Sequence, residues 1–510
     1  MSEESLSSRE TYSPVCCYNT VRQSPVTTIV IVFFALVLDF MLVTLLEPIL
    51  PDILAKLDEI DLSDVSSREE VLDVINQNGR YGYLVAAKGA AQFVLNPVIG
   101  ILVSRIGCRK PMLVGTFGLM ISTVCFAFSQ NYAELFVTRI FQGLSSAITA
   151  VTGMALLASS YAKDEERSRA MAISFGGISC GITGPVYGSL VYEFVGQRAP
   201  FFILATAAGG VIILQLFAMQ PEAPLQHTSP VSAFIRLLCD PMILIVVGNL
   251  LLLNLHFALL LAFLPLRMIQ LNYTETWQLG LAILPVSVGY LVMCAGSIKL
   301  YSIPKWIRCF SGLAISVPTL IMIAYLNTLT NVIITATLVG ASMGLVTTAA
   351  QPILANLVEV RHESIYGCVY ALSDMSVCLA FFVGPLIGGV VIYEFSFEWL
   401  IWGTALVTAV FSCFSFFLRS KSIEQQIRTW LSGSVASETH VFAVAGSPQL
   451  STEPGGLTSA RRQGDGVNDH VITPDHNVKA ELSKQHKLNC PWIVQDENLS
   501  EESLLVGRTP

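Results

Sequence analysis

The sequence predicts an all-α membrane protein with twelve transmembrane helices in two groups of six. Three observations predict it. The chain is 53% hydrophobic and only 13% charged, with a mean hydropathy of +0.62, too apolar for 510 residues to hide in one soluble core. Apolar stretches of about 20 residues, the length that crosses a hydrocarbon core of roughly 30 Å, recur twelve times. A polar segment divides them into two sixes.

The first half comprises spans at 27–50, 82–104, 111–129, 134–158, 170–192 and 200–219. A linker at 220–241 follows, and then spans at 242–265, 278–298, 308–327, 332–357, 365–393 and 398–418. The resulting organisation is a tail at 1–26, a six-helix half at 27–219, the linker, a second half at 242–418 and a polar tail at 419–510. An even number of crossings leaves both termini on one side. Basic residues concentrate in alternate short loops, at Arg105, Arg109, Lys110, Lys163, Arg167, Arg169, Arg236, Lys299, Lys305, Arg308 and Arg361. These predict cytosolic loops and cytosolic tails. The loop after the first span is acidic instead, which suits a wet, non-cytoplasmic face.

The opening residues lack the apolar core and small-residue cleavage site of a signal peptide, so the first span is expected to direct insertion. All twelve cysteines fall in spans or on the cytosolic side, where thiols stay reduced, so no lumenal disulfide is expected. One outer sequon, Asn272-Tyr273-Thr274, is a glycosylation candidate next to the membrane. The tail from Arg419 is rich in Ser, Gly, Thr and mixed charge, which predicts disorder and a role in sorting. Near its end, Asp496, Glu497, Glu501 and Glu502 precede Leu504-Leu505, resembling an acidic dileucine signal for a clathrin adaptor.

Charges inside the spans carry the functional argument. Asp39 lies near the middle of the first span, where a charged side chain costs roughly 2.5–3.5 kcal/mol on insertion scales. A carboxylate there can hold either a proton or an organic ammonium, and competition of that kind is antiport. A structural ion pair is the alternative. Lys88, Arg139 and Asp374 are the other intramembrane charges, and Glu47 near the outer end of the first span is either a gate or a wetted interfacial acid. His256 in the seventh span, with an ordinary pKa near 6.5, is either a titrating group or a packing residue. The fifth span reads GITGPVYGSLVYEF from Gly181 and the eleventh reads AFFVGPLIGGVVIYEF from Ala380. The halves are therefore parallel repeats, which predicts a substrate cavity between them. Gly184, Pro185, Gly384 and Pro385 in the repeated motif serve either packing or a hinge.

Beyond this, motifs carry a resemblance. Gly100-Ile-Leu-Val-Ser-Arg105-Ile-Gly107-Cys-Arg109-Lys110 resembles the signature loop of the major facilitator superfamily, with Ser104 in place of its usual acid. Leu135-x-x-x-Arg139-x-x-Gln142-Gly143 and Gly181-x-x-Gly184-Pro185-x-x-Gly188 resemble two further motifs, the latter the antiporter motif. The strings LDFMLVTLLEPILP, AAKGAAQFVLNPVIG, FVTRIFQG, YEFVGQRAPF, WQLGLAILPVSVGYL and EVRHESIYGCVYALSD are similar to the vesicular amine transporters, in that family's order.

The resemblance implies the major facilitator fold and a proton-coupled antiporter that moves an amine or organic cation, such as a monoamine neurotransmitter, into acidic secretory or synaptic vesicles. It implies that Asp39 serves substrate recognition and proton coupling, that Lys88 pairs with Asp374, and that Arg139 takes part in coupling or caps carbonyls. It also implies that Asn254 and Tyr290 match binding positions of the family. Phe40, Phe263 and Phe381 are further aromatics for the cavity. The chain departs from the family at Phe40, which replaces an asparagine, and at Leu261, Thr347 and Thr408, which replace three carboxylates. The first outer loop also lacks the family's cysteine. A plasma-membrane proton-driven exporter and a transport-dead receptor or scaffold of the same fold are the alternatives.

No Gly-x-x-x-x-Gly-Lys-Ser/Thr loop is present, so neither an enzyme nor an ATP-driven pump is expected. The proton gradient is the expected drive, without a cofactor or metal. A net charge of −8 argues against nucleic-acid binding, and a monomer in the bilayer is expected.

Overall fold

A computed structural model describes residues 25–57, 80–218, 230–270, 276–325, 328–362, 364–394 and 397–419. The first half consists of helices Pro25–Leu57, Arg80–Ile106, Arg109–Phe128, Tyr132–Ser160, Asp164–Ile182 continued by Gly184–Phe194, and Ala199–Ala218. The second consists of Pro241–Gln270, Thr276–Leu281 continued by Leu284–Lys299, Lys305–Ala324, Leu329–Arg361, Tyr366–Glu394 and Phe397–Phe414. Among the described residues, eleven helical segments are long and apolar enough to cross a membrane, and Leu284–Lys299 is a shorter apolar helix between them. The sequon at Asn272, the dileucine pattern and most of both tails lie outside the described residues, as do the side chains of Phe263 and Pro385.

Local chemistry sets the helix ends. Asn131 caps the fourth span by accepting the Glu134 amide at 2.9 Å, and Glu134 reaches back to the Gln130 amide at 2.7 Å, a reciprocal capping box. The second span stops at Gly107, whose φ of 83° ends the helix without a Cβ clash. Between the halves, the expected polar linker contains a ten-residue helix, Pro230–Cys239. Asp240 follows it and caps the seventh span, taking the Met242 amide at 2.9 Å.

Proline alone does not break these helices, since Pro97, Pro318 and Pro352 all sit inside continuous ones. The eleventh span likewise runs through Gly384-Pro385. The fifth does break, at Thr183 just ahead of Gly184-Pro185; there the Thr183 amide bonds the Cys180 carbonyl at 3.2 Å and the Thr183 hydroxyl donates to the same oxygen at 2.6 Å. The two copies of the repeated motif thus differ: one interrupts its helix and the other does not. The eighth span is also interrupted, at Ala282-Ile283 ahead of Pro285, which the sequence reading does not anticipate.

The halves meet where the second span packs on the eleventh and the fifth on the eighth. Glycine permits the first contact: a Cβ on Gly100 would lie 2.6 Å from the Ala371 Cβ, and one on Gly367 would lie 2.7 Å from the Gly100 carbonyl. Outward faces keep large apolar chains exposed, Val94, Leu216, Trp399 and Leu406 among them, as contact with lipid requires.

Candidate functional site

Asp39, Phe40, Val43, Thr44 and Glu47 recur along one face of the first span and line a pocket. The second span adds Lys88 and Gln92, the fourth adds Arg139, the seventh Phe257, and the eleventh Asp374, Cys378 and Phe381. The pocket therefore lies between the halves, as the repeat predicts. Counted out to its open mouth, the empty space is about 660 Å³.

Each charge is held differently. Asp39 is buried, and its Oδ1 accepts a hydrogen bond from the Ser146 hydroxyl of the fourth span. Nearby Ser145 and Thr149 donate to carbonyls of their own helix, so Ser146 is the member of this stretch that reaches across. Asp374 Oδ2 accepts from Gln92 Nε2 at 2.7 Å and Asn96 Nδ2 at 2.9 Å. Lys88 acts on Asp374 electrostatically, but among the described residues no Lys88–carboxylate contact within 4.0 Å occurs; the two amides of the second span hold the carboxylate directly. Arg139 is buried, donates to Gln142 Oε1 at 3.3 Å, and places its guanidinium 5.8 Å from the Phe126 ring centre. Phe257 and Phe381 meet edge to face at 5.9 Å and form an apolar wall from the second half.

Three residues singled out from the sequence lie apart from this pocket. Asn254 Nδ2 donates to the Leu250 carbonyl at 2.8 Å, inside its own helix. Tyr290 is buried with its side chain against Thr347. His256 pairs through Nε2 with Thr408 Oγ1 at 2.9 Å. Because the Thr408 hydroxyl donates to the Thr404 carbonyl at 2.7 Å, it accepts from the imidazole, which assigns the proton to Nε2. Leu261, Thr347 and Thr408 are all buried and none lines the pocket, whereas Phe40, the fourth departure from the family pattern, does. Gly184 touches the first span rather than the cavity: a Cβ on it would lie 2.8 Å from the Met41 carbonyl.

At the end bearing the basic loops, a second polar cluster joins the halves. Arg167 pairs with Glu359 and Asn356, and the Tyr366 hydroxyl donates to the same Glu359. Asp164 takes the Lys305 ammonium at 2.6 and 2.8 Å. Arg167 is only 1% exposed, so this is a desolvated latch rather than a surface ion pair. The sequence shows these cations only as orientation signals. The hint of more was two acids, Asp164 and Glu359, placed among them. On the second half, Asp240 is gripped by Arg361 at 3.2 Å and His362 at 3.0 Å. Burial works to raise its carboxyl, yet the His362 bond, the Arg361 charge and the Met242 amide hold it down to about 2 against an ordinary 3.8.

A family model described as Major Facilitator Superfamily matches residues 32–362. The synaptic vesicular amine transporter of Mus musculus is 37% identical over 356 residues, 69% of this chain and 69% of that protein. Its Homo sapiens counterpart is 36% identical over 366 residues, 71% of each. The probable vesicular acetylcholine transporter-A of Danio rerio is 34% identical over 404 residues, 78% of this chain and 79% of that one. Among solved structures, the human organic anion transporter MFSD10 (TETRAN) superposes with a TM-score of 0.64 at 18% identity, covering 77% of this chain and 99% of that one. At that identity the likeness concerns the fold alone.

Proposed function

We propose that this chain, which belongs to the vesicular amine transporter family of the major facilitator superfamily, moves an amine or organic cation from the cytosol into acidic secretory or synaptic vesicles in exchange for protons. The observation that carries the reading is Asp39: a buried carboxylate in the middle of a span, at the wall of a pocket between the halves. Ser146 supplies it with one neutral donor, which leaves room for a proton or an ammonium as its second partner. With both tails in the cytosol, the Arg167–Glu359 and Asp164–Lys305 pairs close the cytosolic side. The pocket then belongs to the lumen-facing half of the cycle.

In that half, protons of the acidic lumen neutralise Asp39 and Asp374 and displace the cation. The halves rock, the cytosolic latch parts, and the protons leave into the less acidic cytosol. The freed carboxylates then take cytosolic amine. Coupling follows because proton and cargo share one carboxylate, and a ligand drives reorientation only through unequal affinity for the two states.

The test is uptake of monovalent amines into proteoliposomes with an acidic interior. Saturable accumulation that collapses with a protonophore and is lost in Asp39→Asn supports the reading. Accumulation of anions or neutral solutes alone defeats it.

A further inference from the structure

Glu47 gives the pocket its sign. It stands two helical turns beyond Asp39 on the same face of the first span, about 12 Å along the axis at roughly 1.5 Å per residue. Around the pocket, the carboxylates of Asp39, Glu47 and Asp374 face the cations of Lys88 and Arg139. With every group ionised, three acids against two bases leave one negative charge. Without Glu47 the formal charges of the lining cancel, so Glu47 sets the net sign.

Four of the five charges come from the first half, and the second half contributes Asp374 beside the Phe257 and Phe381 rings. Glu47 is the acid nearest the outer end of the first span, in the same pocket as the Arg139 guanidinium.

We propose that Glu47 is a second cation-recognition residue of the transport site, whose charge favours an alkylammonium in the pocket and holds it at the lumenal end of the path from Asp39. This rests on the amine-carrier reading above. A unit charge about 10 Å away at an effective dielectric near 20 changes cation binding by roughly tenfold. That is the effect expected from its removal.

The experiment measures equilibrium binding and uptake of two probes, phenethylamine and tetraethylammonium, by the full-length carrier in proteoliposomes. Glu47→Gln is expected to raise Kd and KM about tenfold for both, with the maximal rate within about twofold of the wild type. Glu47→Asp, which keeps the charge, is expected to restore affinity to within about threefold. Should Glu47→Gln fail to fold, carbodiimide labelling of the wild type, read by mass spectrometry, is the second measurement, and saturating amine is expected to shield Glu47. Unchanged affinity in Glu47→Gln, no rescue by aspartate, or labelling indifferent to amine overturns the assignment while leaving the amine carrier intact. If the wild type binds neither probe, the amine reading and this assignment fall together.

Discussion

Ser179 and Ser287 clasp each other across the seam between the halves. The Ser179 hydroxyl donates to the Ser287 carbonyl at 2.7 Å, and the Ser287 hydroxyl donates to the Ser179 carbonyl at 2.6 Å. Both side chains are buried. Most hydroxyls in these spans, Thr116, Thr348 and Ser376 for instance, donate instead to the preceding turn of their own helix. About one turn beyond the clasp, each of the two helices is interrupted, at Thr183 and at Ala282-Ile283. The clasp is neutral, whereas the Arg167–Glu359 latch, also between the halves, is an ion pair. This division of roles suits a fixed pivot and a parting gate.

A cross-link tests the pivot. In a Cys180→Ser background, the pair Ser179→Cys and Ser287→Cys is expected to form a disulfide, given hydroxyls 3.2 Å apart, and to keep uptake within about threefold of the reduced form. Arrest that reductant relieves would show that the contact has to part during transport.

The latch should behave oppositely. Arg167→Ala strands Glu359 in a desolvated site, and breaking a buried pair of this kind costs about 3–5 kcal/mol. The cost falls on the state in which the pair is made, so the carrier shifts toward opening at that end. Cys368, buried near the start of the eleventh span, is then expected to react faster with a membrane-impermeant thiol reagent from that side, read site by site by mass spectrometry. Unaltered reactivity would mean that the pair does not hold that end shut.

Ser146→Ala removes the donor that reaches Asp39 from the fourth span. A buried acceptor left unmatched costs about 1–3 kcal/mol, so the melting temperature is expected to fall by several degrees. Uptake should fall with it. Ser145→Ala, whose hydroxyl serves its own helix, is the comparison and is expected to change uptake little.

Asp240 makes a pH prediction. Its folded carboxyl sits at about 2 and its ordinary value is 3.8, so the folded state favours the ionised form. The resulting stabilisation, about 2 kcal/mol, is complete above the unfolded value and disappears as pH falls from near 4 toward 2. Asp240→Asn is expected to lower the melting temperature at neutral pH and to flatten its decline in that acid window. A decline as steep as that of the wild type would assign the acid sensitivity to other groups.

Much of the fold is legible in the sequence because insertion into a bilayer is a local demand. Twenty apolar residues read as a span wherever they occur, and the paired Gly-Pro motifs expose the repeat. Asp39, Lys88, Arg139 and Asp374 stand out for the same reason: each contrasts with its immediate neighbours. What the sequence leaves open depends on partners distant in the chain. The same Gly-Pro pair follows a break in the fifth helix and sits inside a continuous eleventh. His256 finds Thr408 instead of the pocket, and Asp374 is held by amides of the second span while Lys88 acts on it only through its field. Hydropathy and motif spacing thus determined the spans, their pairing into halves and the charges that need a reason to be buried. Only tertiary packing decided which of those charges share a cavity and which loop cations pair across the halves, because hydrogen bonds and ion pairs form between side chains that the chain order keeps far apart.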